Sequence, residues 1–256
     1  MKQRNPQNNP KKSVAKSAPN REKSAVNREV RANAAAIDDL IILPPCTETI
    51  EILQVDPHFL LINKPPRLLS VPGRHPQNRD SVLVRLQQEY AGAGIVHRLD
   101  FDTSGVMVIP LNAAALSNIS KQFQARETQK MYTAVVAGLI EADSGVVDLP
   151  IAPDPDNRPK YKICEHDGKV SITEFRVMAR DEQTQTTRVE LFPVTGRSHQ
   201  LRLHMQALGH PILGCEFYGN AQALAGADRL LLHATRLSFS HPETGESVQI
   251  ECKPRF

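Results

Sequence analysis

One nine-residue stretch, His97–Gly105, holds two aspartate carboxylates, a guanidinium and two hydroxyls, on Asp100, Asp102, Arg98, Thr103 and Ser104. Four apolar residues follow at once, so this cluster immediately precedes a predicted strand. Polar side chains at the mouth of a rigid strand are held in place, as chemistry requires. A carboxylate held in this way can act as a nucleophile. The alternative is that Asp100 or Asp102 only caps a turn or binds the neighbouring hydroxyls.

The rest of the chain contains many short apolar segments and few helical ones. Alternating or continuous apolar runs predict strands, and helical spacing behind a capping residue predicts helices. The strands are expected at residues 51–56, 59–64, 105–111, 132–140, 170–179, 187–193, 230–239 and 247–252, and the helices at 81–90, 112–126 and 198–208. The proline-rich residues 150–169 are expected to form a loop. Many strands without crossover helices indicate an α+β fold, with a mixed, mostly antiparallel sheet flanked by helices and loops.

Composition indicates the cellular compartment. The chain has 256 residues, 40% of them hydrophobic, so it can bury a sizeable core. Its cysteines form no C-x-x-C motif, and scattered thiols suit a reducing cytoplasm. No apolar run is long enough to span a membrane, and the first residues lack the apolar segment of a secretory signal. We therefore expect a cytoplasmic protein.

Five segments, in this order, resemble the RluA family of pseudouridine synthases. They are Ile62–Pro65, His97–Gly105, Lys130–Ala134, Gly196–Met205 and Gly209–Gly214. The second has the form H-R-L-D-x-x-T-S-G. The resemblance implies a catalytic domain with the pseudouridine synthase fold over residues 46–256, without an S4 domain. It implies isomerisation of uridine to pseudouridine in structured RNA without a cofactor. Residues 70–74 and 157–160 are similar to the subgroup that modifies both a tRNA anticodon stem-loop and a 23S rRNA stem-loop.

The resemblance also implies roles for individual side chains. Asp100 would be the nucleophile, attacking the base or the sugar, and Arg197 would be the cation that keeps its carboxylate ionised. Tyr132 would stack on the flipped uracil, and its hydroxyl is a candidate for removing the C5 proton. Leu203 would form the apolar wall on the other side of the base, and Arg98 would enter the space that the flipped base leaves. Ordinary core packing is the alternative for Tyr132 and Leu203.

Several cations are candidates for contacts with RNA phosphates, although most surface charges are merely solvated. The site candidates are Lys64, Arg158, Lys160 and Arg202.

Residues 1–33 carry nine basic and two acidic residues, so the net charge of +3 conceals a segment of +7 and a remainder of −4. We expect residues 1–45 to be a disordered basic tail. It would act either as a solubilising tail or as an arm on RNA phosphates.

Rival chemistries lack their motifs. His199 and His204 are five residues apart, whereas a helical metal pair needs i and i+4. No Gly-x-Ser-x-Gly elbow or Walker loop is present. The resemblance implies tRNA and 23S rRNA stem-loops as partners and no cofactor. We also expect no metal, no membrane and a monomeric protein. The alternatives are a synthase of the same family with another RNA target and an RNA chaperone that binds without catalysis.

Overall fold

The structure, a computed structural model, describes Met1 and residues 41–256. The chain divides into two units, Met1–Ile41 and Ile42–Phe256. The disordered tail predicted for residues 1–45 falls almost wholly outside the described residues and stays a prediction. The start of the catalytic domain at residue 46 likewise stays a prediction.

One large sheet dominates the described part of the chain. Its strands are β1 (Glu51–Val55), β2 (Phe59–Lys64), β3 (Ser104–Pro110), β4 (Gln129–Ala137), β5 (Ser144–Asp148), β8 (Ile172–Asp181), β9 (Thr186–Pro193), β10 (Leu232–Ser240) and β11 (Ser247–Glu251). Their order is β1-β2-β3-β10-β4-β9-β8-β5, and β11 pairs with β10. Strands β3 and β10 run parallel, and the other neighbours run antiparallel. The predicted mixed, mostly antiparallel sheet is confirmed.

Both faces of the sheet are covered at β2 and β3. Leu60 and Ile62 pack in an apolar cluster on one face, and Phe59 and Leu61 pack in another cluster on the opposite face. All four side chains are fully buried. A strand buried on both faces has a continuous apolar sequence rather than an alternating one. The polar residues directly before β3 therefore rest on a rigid strand.

Four helices accompany this sheet within residues 41–256. They are α1 (Val82–Gln87), α2 (Ala113–Ala125), α3 (Gln200–Ala207) and α4 (Ala221–Ala225). The predicted cap of α2 is present, since Oδ1 of Asn112 accepts a 2.9 Å hydrogen bond from the backbone N–H of Ala115. The residue before α3, His199, has φ of 56° and provides no side-chain cap. Helix α3 therefore starts from a backbone conformation that residues other than glycine seldom adopt.

The region expected to be a loop, residues 150–169, contains two short strands. They are β6 (Ile151–Pro153) and β7 (Tyr161–Ile163), which pair antiparallel and are joined through a 3-10 turn, Pro155–Asn157. Three-residue strands are too short to show an alternating pattern, and the surrounding prolines favour a loop. Strand β5 and helix α4, each of five residues, were also not predicted.

Gly105 fixes the contact between β3 and β10 beside Asp100. Its φ is 118°, and a Cβ atom there would lie 2.3 Å from the carbonyl oxygen of Ala234 on β10. Only glycine permits both this backbone conformation and this close approach. The glycine that ends the Asp100 stretch therefore lets β3 join the parallel partner that holds it.

Candidate active site

Asp100 opens onto a cavity of about 530 Å³ that is also lined by Arg98, Tyr132 and Arg202. Its backbone carbonyl accepts a 3.2 Å hydrogen bond from the N–H of Thr103, so the residue sits in a tight turn just before β3. The Asp100 side chain is 25% exposed. The carboxylate is therefore partly shielded from water, yet a molecule that enters the cavity can reach it.

Arg202, in the first turn of α3, forms an ion pair with Asp100. The distance from its Nη1 to Oδ2 of Asp100 is 3.7 Å, and its side chain is only 2% exposed. Its Nε donates to Sγ of Cys215 at 3.3 Å. The guanidinium carbon lies 5.0 Å from the ring centroid of Phe217 and 5.4 Å from that of Tyr218. These contacts fix the guanidinium plane, and an arginine keeps its charge at any physiological pH.

Two sequence predictions about arginines are contradicted by this arrangement. Arg197 lines the same cavity, but its Nε donates to the backbone carbonyl of Val170 at 3.2 Å. Among the described residues, the ion pairs of Asp100 involve Arg202 and His199 and not Arg197. Residue 197 lies in the loop before α3, whereas residue 202 is on the helical turn that faces Asp100. The predicted contact of Arg202 with RNA phosphates is also wrong, because its guanidinium is buried and already paired.

Tyr132, on β4, is half-buried and lines the cavity. Burial, and to a lesser extent the charge of Asp100, raise the pKa of its hydroxyl above the ordinary value. The side chain is therefore a phenol at neutral pH, which can stack through its ring and donate a hydrogen bond. The site disfavours the phenolate that would be needed to remove a proton.

Leu203 does not line the cavity that contains Asp100, whereas Leu201 is among its apolar lining residues. Leu203 is buried in the core and borders a neighbouring hollow beside β7. Successive residues of a helix point about 100° apart, so two positions along α3 reach opposite sides. Leu203 therefore points away from the cavity and packs in the core, as the alternative to the sequence prediction had it.

Arg98 stands exposed at the rim of the cavity. The next residue, Leu99, is buried and its backbone is clamped by Ser70. The hydroxyl of Ser70 donates to the Leu99 carbonyl at 2.8 Å and accepts from the Leu99 N–H at 3.1 Å. The exposed guanidinium therefore projects from a firmly anchored backbone, two residues before the carboxylate.

Lys64 is buried, which contradicts its predicted contact with RNA phosphates. Its Nζ donates to the backbone carbonyls of Pro65 at 2.9 Å, Leu68 at 2.7 Å and Phe101 at 3.2 Å. Burial lowers the pKa of this ammonium to about 7, against the opposing pull of Asp100. Lys64 points inward from the buried strand β2, so its hydrogen bonds tie the residue after Asp100 to the core.

The remaining cationic candidates lie outside the cavity. Arg158 is exposed, and Lys160 is half-buried, in the segment that joins the 3-10 turn to β7. The Nζ of Lys160 lies 6.0 Å from the ring centroid of Phe217, the same ring that stacks on Arg202. Neither cation lines the cavity at Asp100: Lys160 borders the hollow that Leu203 also lines, and Arg158 precedes Lys160 by two residues.

Comparison with known proteins agrees with this geometry. The sequence profile of the family described as RNA pseudouridylate synthase matches residues 58–207, which include Asp100, Tyr132 and Arg202. The chain belongs to this family. A protein of Yersinia pestis named "Dual-specificity RNA pseudouridine synthase RluA" is 49% identical over 205 residues, which are 80% of this chain and 99% of that protein. The protein of the same name from Escherichia coli K12 is 48% identical over 213 residues, which are 83% of this chain and 97% of that protein.

Solved structures share the fold. Human RNA Pseudouridylate Synthase Domain Containing 1 has a TM-score of 0.70 at 28% identity, covering 83% of this chain and 86% of that one. Human RNA Pseudouridylate Synthase Domain Containing 4, at 24% identity and a TM-score of 0.63, agrees in fold. The predicted family, fold class and activity are therefore confirmed. The protein is an RNA pseudouridine synthase, an isomerase whose partner is RNA.

The described part of this pseudouridine synthase lacks two kinds of feature. None of its helices is long and apolar enough to cross a membrane. No group of three or more His, Cys, Asp or Glu side chains there is arranged to hold a metal ion. The absence of a cofactor stays a prediction.

Sequence reasoning missed two residues of the synthase site. Nε2 of His199 lies 3.9 Å from Oδ2 of Asp100, and its Nδ1 lies 2.6 Å from the hydroxyl of Tyr218. Burial lowers the pKa of the His199 imidazole, which outweighs the opposite effect of Asp100. His199 had been considered only as a metal ligand. Its place inside the Gly196–Met205 segment was the available signal, whereas Tyr218 gave none, since it lies in an irregular stretch.

Proposed function

We propose that this pseudouridine synthase modifies a tRNA anticodon stem-loop and a 23S rRNA stem-loop, with Asp100 as the nucleophile. Relatives that carry the name "Dual-specificity RNA pseudouridine synthase RluA" support two kinds of RNA target, because they align over most of this chain. The observation that carries the proposal is the Asp100–Arg202 ion pair at the wall of a cavity about 530 Å³ in volume.

The reaction needs a nucleophile that is charged but not fully neutralised. Asp100 attacks the base or the ribose, the N1–C1′ bond breaks, and the uracil is rejoined through a C5–C1′ bond. The bond to Asp100 then breaks and the carboxylate is freed. The C5 proton leaves and N1 gains one, so the product is an isomer and no electrons are exchanged. Arg202 offsets the cost of shielding the carboxylate from water and fixes the orientation of its oxygens.

The other cavity residues receive the flipped base. Tyr132 stacks on one face of the uracil, and its phenol enters as a hydrogen-bond donor rather than as a base. Leu201 takes the wall position that the sequence had assigned to Leu203. Arg98 acts as the wedge, because its exposed side chain can occupy the gap that the uridine leaves in the RNA stack.

The flanking RNA lies against Arg158 and Lys160. Arg158 is exposed and Lys160 is half-buried, in the segment before β7, where they can bind phosphates that flank a flipped nucleotide. We also propose that the protein acts as a monomer and in the cytoplasm, where tRNA and ribosomal RNA are modified.

Pseudouridine mapping across total RNA of cells that lack this protein tests the targets. We expect loss of one pseudouridine in a tRNA anticodon stem-loop and one in a 23S rRNA stem-loop, both restored by the wild-type chain but not by Asp100→Asn. Loss at only one site would replace the dual target with a single one. Full restoration by Asp100→Asn would favour an RNA chaperone that binds without catalysis.

A further inference from the structure

His199 and Tyr218 form a hydrogen-bonded pair beside Asp100 that has no role in the reaction described above. The hydroxyl oxygen of Tyr218 accepts from the backbone N–H of Tyr161 at 2.9 Å and lies 2.6 Å from Nδ1 of His199. The hydroxyl has a single hydrogen, and within residues 41–256 the acceptor in reach of it is Nδ1. Tyr218 therefore donates to Nδ1, and the proton of neutral His199 is on Nε2.

The protonated Nε2 faces the nucleophile. It lies 3.9 Å from Oδ2 of Asp100, the same oxygen that lies 3.7 Å from Nη1 of Arg202. Burial lowers the pKa of His199, and the neighbouring charges of Arg202 and Arg98 lower it further, against the pull of Asp100. The ring is therefore neutral near pH 7. At 3.9 Å the contact is electrostatic and not a direct hydrogen bond. The dipole of a neutral N–H favours the carboxylate without adding a second positive charge, which would weaken it as a nucleophile.

The backbone of His199 has an unfavourable conformation that the surrounding contacts maintain. Its φ of 56° lies in the left-handed region, where residues other than glycine are strained. The imidazole is enclosed by the rings of Tyr161, Phe217 and Tyr218, with centroid distances of 5.3, 5.6 and 5.6 Å. The surrounding contacts thus fix a conformation that the isolated chain would disfavour.

The pair also connects Asp100 to the segment that is proposed to contact RNA. Tyr161 is the first residue of β7 and follows directly on Arg158 and Lys160. Its backbone N–H binds Tyr218, and its ring packs edge-on against His199. A shift of this segment when RNA binds would therefore reach the imidazole through a hydrogen bond and through a ring contact.

We propose that His199 and Tyr218 are positioning residues: Tyr218 holds His199 with its proton on Nε2, His199 orients Asp100 together with Arg202, and Tyr161 links this orientation to the seating of RNA. This inference rests on the proposed role of Asp100 as the nucleophile. It assigns a function to two residues that do not touch the reacting atoms.

Single-turnover tritium release from an RNA stem-loop labelled at C5 of uridine, together with the RNA concentration for half-maximal rate, tests the pair in the full chain. Tyr218→Phe removes only the hydroxyl and keeps the ring on Arg202, and Tyr90→Phe is the matched control away from the site. We expect Tyr218→Phe to lower the maximal rate about 10-fold with half-saturation changed less than about 2-fold, and Tyr90→Phe to lower neither. His199→Leu should lose about 100-fold, and His199→Gln, which retains an N–H donor, should recover part of that loss.

Nitrogen NMR of histidine-labelled protein supplies a readout that is independent of the rate. The wild type should show His199 with its proton on Nε2, identified by the signal that His199→Gln removes, and Tyr218→Phe should show a mixture of tautomers. An unchanged tautomer in Tyr218→Phe, or an unchanged maximal rate, would overturn the proposal, even where His199→Leu fails to fold.

Asp100→Asn, assayed in parallel, separates the positioning role of His199 and Tyr218 from the nucleophile role of Asp100. If that variant is inactive while both His199→Leu and Tyr218→Phe are as fast as wild type, only the positioning role is lost. If Asp100→Asn is active, both proposals are overturned.

Discussion

Replacing Arg202 by methionine should slow pseudouridine formation about 30-fold. At the observed 3.7 Å separation from Asp100, two unit charges attract by about 4 kcal/mol at an effective dielectric constant of about 20. Asp100 is 25% exposed, so water screens part of this attraction. We therefore assign about half of it to the interaction free energy that Arg202→Met loses. A loss of about 2 kcal/mol corresponds to about 30-fold in rate.

The matched control is Arg197→Met, since Arg197 lines the same cavity without pairing with Asp100. We expect it to lose less than about 3-fold, because its guanidinium contacts the Val170 carbonyl at the edge of the site. Arg202→Lys should fall between the two, because it keeps the charge but loses the planar stacking on Phe217 and Tyr218.

Single-turnover tritium release at saturating RNA measures these losses, and thermal melting of each variant shows that it is folded. A 30-fold loss in Arg197→Met combined with nearly full activity in a folded Arg202→Met would refute the ion-pair reasoning. That outcome would restore Arg197 as the partner of Asp100 in the RNA-bound enzyme.

Three further predictions concern the tail, the wedge and a buried lysine. Deleting residues 1–33, which carry a net charge of +7, should weaken RNA binding and flatten its salt dependence without changing the rate at saturating RNA; equal salt slopes for the full-length and shortened proteins would leave only a solubilising role. Arg98→Ala should lose most activity on a folded stem-loop but much less on an RNA whose target uridine is already unstacked in a bulge, since flipping costs roughly a few kcal/mol; equal fractional losses would exclude the wedge. The pKa of Lys64 is lowered to about 7 in the folded protein, so above that pH the unfolded chain binds more protons than the folded one. The free energy of unfolding of the wild type, relative to that of Lys64→Met, should therefore rise by roughly 2 kcal/mol between about pH 7 and about pH 9. Denaturant titrations at both pH values measure this, and a constant difference would show that Lys64 is not buried as a titrating group.

The sequence predicted where the Asp100 segment lies, directly before a buried strand, better than the arrangement around it. The residues directly before β3 were recognisable because their types and order are specific and an apolar strand follows them. The partner of Asp100 was predicted wrongly because two arginines, Arg197 and Arg202, lie in one segment. Which of them faces the carboxylate depends on where α3 begins, and a left-handed residue at His199 sets that start. No local sequence pattern encodes such a residue reliably.

Burial decided the other differences between sequence and structure. A lysine in a sequence is normally predicted to be a surface cation. Lys64 instead lies on a strand covered on both faces, where its Nζ donates hydrogen bonds to three backbone carbonyls. The His199–Tyr218 contact joins residues on either side of α3 and depends on an irregular stretch after that helix. Such contacts between distant elements arise from tertiary packing, which periodicity and residue type do not reveal.

The central claim, that Asp100 is the nucleophile of pseudouridine formation, is tested most directly by Asp100→Asn in the purified full chain. The change is nearly isosteric and removes only the nucleophilic charge, and Asp102→Asn makes the same change two residues away. We predict that tritium release from C5-labelled RNA falls below detection in Asp100→Asn while RNA affinity is kept, and that Asp102→Asn retains most of its activity. Multiple turnovers by Asp100→Asn, or an equal loss in both variants, would contradict the assignment.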